Sequence, residues 1–287
     1  MRSGEAPDRG ASHLVALCVA LAATLALYAP VIANMAGEWA EFSNLSHGFA
    51  IPMIAGYLLW QRRKPIASEQ RAPSAVGFVL LVPAVMLLVA GTLGGEPFLA
   101  RVSLPLALLG IVLTLAGTGL ARSFAPGIGY LFLMIPLPYV TLTALTYQVQ
   151  LLDARVTTAV LRSLGVPVLR EGVMLHLPNI TLEVADVCSS VQGIVALLAL
   201  GVAYGQVGGR APWARAFLAI STIPLGLASN AFRITLTALA AFLLGPIALN
   251  NVIHRFSGTT VFLLTLLLLL GLDSLIARLS RGASARA

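Results

Sequence analysis

The sequence predicts an all-α polytopic membrane protein, and three observations carry that prediction. Of 287 residues, 58% are hydrophobic and 10% charged, against about 25% charged in soluble domains. The apolar residues gather in runs near the about 20 helical residues that cross a hydrocarbon core about 30 Å thick. The net charge of +7 comes almost wholly from arginine, Lys64 being the one lysine. Those arginines sit in short loops between the runs, as positive-inside orientation requires. Such placement points away from a nucleic-acid partner. Cys18 and Cys188 are the two cysteines; they make no disulfide framework, and no Cys/His spacing implies a metal. No cofactor is expected.

Eight spans are expected within a single integral membrane domain covering 1–287. The first, about 13–35, is read as a retained span, because its apolar run continues without a cleavage pattern. The second, 45–60, begins at Ser46-His47-Gly48 and ends in Gln61-Arg62-Arg63-Lys64, the clearest cytoplasmic flag in the chain. Spans three and four cover 75–93 and 102–120. The fifth, 124–146, contains Pro136-Leu137-Pro138, and proline breaks the helical ladder. It therefore bends or ends early. The sixth is 190–206 and the eighth 258–277. The seventh is 213–233, with its helix able to continue to 245. A helix over that whole run would be about 50 Å long at 1.5 Å per residue, so it bends at Pro224 and Gly226 or projects beyond the bilayer.

Residues 147–187 are the one long stretch that is not a membrane run. Leu152, Val156, Ala159, Val160 and Ser163 recur at helical spacing opposite Asp153, Arg155 and Arg162, which predicts an amphipathic helix lying on the surface. Near-alternation of apolar residues from Val166 to Val184 then predicts one or two short strands.

Charge placement orients these elements. Arginines near both ends place the N- and C-termini in the cytoplasm, and 147–187 then falls outside. Cys188 lies at the outer end of span six. Arg233 lies about 30 Å along a helix from Trp213, and His254 precedes the last, inward-running span. All three reach one boundary, the periplasmic face if the membrane is a bacterial inner membrane.

Taken singly, each has an ordinary reading. A free cysteine is usually a small buried hydrophobe, an arginine near a boundary snorkels to headgroups, and an interfacial histidine is common. Together they are the minimum set for thiol-based acyl transfer. A neighbouring cation lowers the thiol pKa, an imidazole moves protons, and arginine offers donors to an oxyanion. His47 and His176 share the outer side and are rival bases; His13 is inside. Asn230 shares a helical face with Arg233. Glu183 and Asp186 are candidates to pair with Arg233 or orient His254, and Gln192 lies about one turn after Cys188.

At these residues the chain resembles the exosortases and the related archaeosortases. The resemblance rests on Val184-Ala185-Asp186-Val187-Cys188-Ser189-Ser190-Val191-Gln192-Gly193, Asn230-Ala231-Phe232-Arg233-Ile234 and His254-Arg255-Phe256-Ser257-Gly258. Ser46-His47-Gly48-Phe49-Ala50-Ile51-Pro52, Pro136-Leu137-Pro138 and Gly165-Val166-Pro167-Val168 support it in the same order. It implies a multi-pass inner-membrane thiol transpeptidase that cleaves C-terminal sorting signals of the PEP-CTERM type through a thioester. The family's Cys, Arg and His fall on Cys188, Arg233 and His254. The implied partners are exported proteins ending in a sorting motif, an apolar helix and a basic tail, together with membrane lipid and an acceptor nucleophile. One departure is Ser189-Ser190, where the family often has a small residue followed by glycine. An intramembrane hydrolase or lipid-linked acyltransferase could use the same groups. A transporter or polysaccharide-export component would spread its charges along a pathway, whereas here they cluster at one face.

Overall fold

A computed structural model describes residues 9–62, 74–184, 190–208, 211–245 and 251–284, without the side chains of 9–14, 190, 251–257 and 279–284. The chain forms two compact units, Met1–Leu137 and Pro138–Ala287. The division falls inside Pro136-Leu137-Pro138, where two residues lack the N–H that would carry a helix through.

In the first unit, α1 (Arg9–Leu27) and α2 (Ala29–Glu41) meet at a 58° bend, with Pro30 in the first turn of α2. Proline is tolerated there because that N–H has no intrahelical partner. Helices α3 (His47–Gln61), α4 (Phe78–Leu93) and α5 (Pro97–Tyr130) follow. Gly117 interrupts α5 with φ 88 and ψ 178, a conformation open to glycine and strained for any other residue.

Polar contacts tie α2 to α5. Arg101, 5% exposed, forms a two-pronged ion pair with Glu38 and donates to Asn34 Oδ1 at 2.6 Å. Tyr28 and Ser103 share a hydrogen bond of 2.8 Å. Trp39 Nε1 donates to the Met134 carbonyl at 3.1 Å, and its indole lies against Gly48, where any side chain would collide with the ring.

The second unit begins with α6 (Tyr139–Ser163). An antiparallel sheet follows, β1 (Leu169–Glu171), β2 (Met174–His176) and β3 (Thr181–Glu183), in that spatial order. Three strands thus stand where the alternation suggested one or two. Helices α7 (Ser190–Val207), α8 (Pro212–Leu244) and α9 (Asn251–Ser284) complete the unit. Gly201 and Gly205, one turn apart on α7, let α8 come close: a methyl group on Gly201 would stand 2.9 Å from Thr222 Cγ2. Small residues at this spacing are a common means of bringing membrane helices together. Helix α8 runs through Pro224 as one helix of 33 residues.

Among the described residues four stretches are long and apolar enough to cross a membrane, Ala75–Leu93, Pro97–Met134, Pro212–Leu244 and Gly258–Arg278, or five if the bent α1–α2 pair is one span. The protein is therefore polytopic and mostly helical. Eight spans are not confirmed by this measure; α3, of 15 residues, and α7, of 18, lie where spans two and six were expected. The runs assigned to spans four and five lie partly in α5, which kinks at Gly117 instead of opening a loop.

On α6 one residue departs from the face its spacing assigned. Leu152, Val156 and Val160 are exposed at 43%, 39% and 38%, and Arg155 and Arg162 are exposed too, but Asp153, expected on the arginines' face, is 1% exposed. The interior of this unit is polar at the level of Asp153.

Candidate functional site

The buried side of α6 carries Thr146, Gln150, Asp153 and Thr157, at intervals of four, three and four residues that keep one helical face. Helix α8 meets this face with Asn230, Ile234, Thr235 and Ala238. Beneath, Ala154, Leu161, Val166, Val168, Leu175, Leu177, Val184, Ile234 and Ala238 form one buried cluster, which seats the small sheet against both helices. Further anchoring comes from Asn179 Nδ2, which donates to the Phe242 carbonyl at 2.9 Å.

On this base Asp153, Asn230 and Arg233 form a chain of contacts. Arg233 Nη2 donates to Asn230 Oδ1 at 2.9 Å, and Asn230 Nδ2 donates to Asp153 Oδ2 at 2.6 Å. Chemistry fixes the amide's direction, since a guanidinium only donates and must meet the oxygen. Thr157 and Thr235 hydroxyls lie 3.2 Å apart, and Thr237 Oγ1 donates to the Arg233 carbonyl at 3.0 Å. Ser229 is hydrogen-bonded to Thr265, joining α8 to α9.

Arg233 itself is half-buried. Nη1 lies beside Gly258 of α9, where a methyl group would stand 3.1 Å away. Asp153 lies on α6, outside the membrane-spanning helices. Burial pushes its carboxyl up to about 6, against the lowering effects of the Asn230 hydrogen bond and the Arg233 charge. Its Oδ1 is buried with no hydrogen-bond partner among the described residues.

The residues expected at the site divide as follows. Asn230 and Arg233 are brought together. His254 is on α9, one helical turn before Gly258, and its side chain lies outside the description. Cys188 and Asp186 lie outside the described residues; the chain is described up to Val184, in the same buried cluster as Ile234, and again from Ser190 at the start of α7. Glu183 is exposed in β3, and Gln192 is half-buried in the first turn of α7. The rival base His176 is engaged by the sheet, with Nδ1 3.0 Å from Thr181 Oγ1 and Nε2 3.4 Å from Glu171. His47 belongs to the first unit.

Asp153 was not among the expected site residues. Its signal was the polar stripe itself: Thr146, Gln150, Asp153 and Thr157 repeat on one face of the helix. The described residues hold no group of three or more His, Cys, Asp or Glu that could bind a metal.

No curated protein and no solved structure matches the chain. A family match, described as transmembrane exosortase, covers residues 39–271. It takes in α3 through most of α9, including Asp153, Asn230 and Arg233. On that match the chain belongs to the transmembrane exosortase family, a family of membrane protein-sorting transpeptidases.

Proposed function

We propose that this protein is a thiol transpeptidase that cleaves C-terminal sorting signals of the PEP-CTERM type from exported proteins at the outer face of the inner membrane. In this reading both termini are cytoplasmic. The Cys188 thiolate attacks the scissile carbonyl, forming a C–S bond. The C–N bond then breaks as His254 gives a proton to the leaving amine. Arg233 donates hydrogen bonds to the oxyanion that develops in between, a role worth about two to three orders of magnitude in rate. An acceptor amine, or water, then resolves the thioester. The substrate's apolar helix docks among the enzyme's own spans, and its basic tail stays on the cytoplasmic side.

The observation that carries this reading is the placement of Arg233. Its guanidinium is held by Asn230 on one side and lies against Gly258 on the other, one turn from His254 on α9. A charged group in a membrane protein is costly unless it has such partners.

The test is to co-express the protein with a tagged export substrate ending in a PEP-CTERM-type signal and to determine the new C-terminus by mass spectrometry. A C-terminus joined through an amide to an acceptor supports transfer. A free carboxylate would make the protein a hydrolase, and an uncleaved tail would contradict the reading.

A further inference from the structure

We propose that Asp153 is a positioning residue for Arg233, acting through the side-chain amide of Asn230. The inference rests on the catalytic role proposed above for Arg233 and extends it to a third side chain on a different helix.

Asn230 alone would be a poor guide for a guanidinium, because a side-chain amide is broadly free about its last torsion. Asp153 removes that freedom. With Nδ2 committed to Asp153 Oδ2 at 2.6 Å, the amide oxygen can only point toward Arg233 Nη2, 2.9 Å away. Among the described residues Arg233 makes no ion pair, so the acid holds the guanidinium at one remove. Among them, too, Nη2 is the guanidinium nitrogen with an acceptor. A direct carboxylate partner would have taken two donors in a bidentate pair. Donors held in place before charge develops need no reorganisation during reaction.

A purely structural role is already filled nearby. The Thr157–Thr235 contact and the Ala154, Leu161, Ile234 and Ala238 packing join α6 to α8 without Asp153. The contact also requires only an acceptor at Oδ2, which a neutral acid keeps, so the relay does not depend on charge.

The experiment measures pulse–chase processing of a tagged PEP-CTERM-type substrate at graded substrate levels, with rates normalised to membrane-inserted enzyme. Asp153→Ala, and Asp153→Leu, which fills the space with no acceptor, are expected to lower the maximal rate by about tenfold or more. The substrate level giving half-maximal rate should change little, because the lost interaction belongs to the transition state. Asp153→Asn keeps an acceptor oxygen and is expected to restore the rate to within about threefold of wild type. Wild-type rates in the Ala and Leu variants, or an Asn variant as slow as Ala, would overturn the proposal. Arg233→Ala is run alongside. If it is inactive while Asp153→Ala is unimpaired, only the role of Asp153 falls. If Arg233→Ala processes normally, the catalytic reading of Arg233 falls, and this role with it.

Discussion

Arg233 of α8 lies against Gly258 of α9, close enough that one methyl group on Gly258 would stand 3.1 Å from Nη1. The space left by the missing side chain is where the guanidinium sits. Gly258→Ala would push the guanidinium aside by a few tenths of an ångström. Its cost to folding is small, because the displaced atom ends a long side chain and alanine favours a helix interior by about 1 kcal/mol over glycine. The expected outcome is normal accumulation in membranes with processing slowed by about tenfold, since small misplacements of a positioned group can cost up to about a hundredfold. Quantitative blotting of enzyme and processed substrate checks both halves.

The elevated carboxyl of Asp153 predicts a pH effect on stability. The unfolded chain ionises near 3.8 and the native protein at about 6, so the native state holds the proton more tightly. The stabilisation from that proton is complete below about pH 4 and is lost as the pH rises through 6, with about 3 kcal/mol as its full extent. Asp153→Asn imitates the protonated form. It is expected to unfold at the wild-type temperature at pH 4 and at a higher one at pH 7. Thermal unfolding in detergent across that range is the measurement, and parallel curves for the two proteins would show that the carboxyl ionises normally.

Much of the architecture was legible from hydropathy and glycine–proline punctuation. The apolar run from Trp213 to Gly245 is one helix, α8. The alternation after Gly165 is a small sheet, and Pro136-Leu137-Pro138 marks the boundary between the two units. Asn230 and Arg233 share a face, as their spacing required. What was not legible follows from one assumption, that polar faces look outward. On α6 Arg155 and Arg162 do look outward, but Asp153, placed on their face by its spacing, is turned onto α8. Gly117 gave no warning either, because a positive φ within an apolar run leaves the hydropathy unchanged.

In the first unit, the Arg101–Glu38 pair is expected to dominate local stability. Arg101 is nearly fully buried, and Glu38 and Asn34 accept from its Nη1 and Nη2. Removing one partner of such a pair strands the other charge and costs about 3–5 kcal/mol. Glu38→Leu is therefore expected to lower accumulation sharply, whereas the double variant Glu38→Leu with Arg101→Leu is expected to recover much of it. Membrane yield and thermal midpoint of the purified single and double variants test this, and additive losses would contradict it.

The central claim is that Cys188 is the nucleophile, with Arg233 and His254 as its working partners. The most direct measurement is processing of a tagged PEP-CTERM-type substrate by Cys188→Ala beside the wild type, at equal amounts of membrane-inserted enzyme. The account predicts that the wild type shortens the substrate while Cys188→Ala leaves it full length. Equal processing by the two proteins would contradict it.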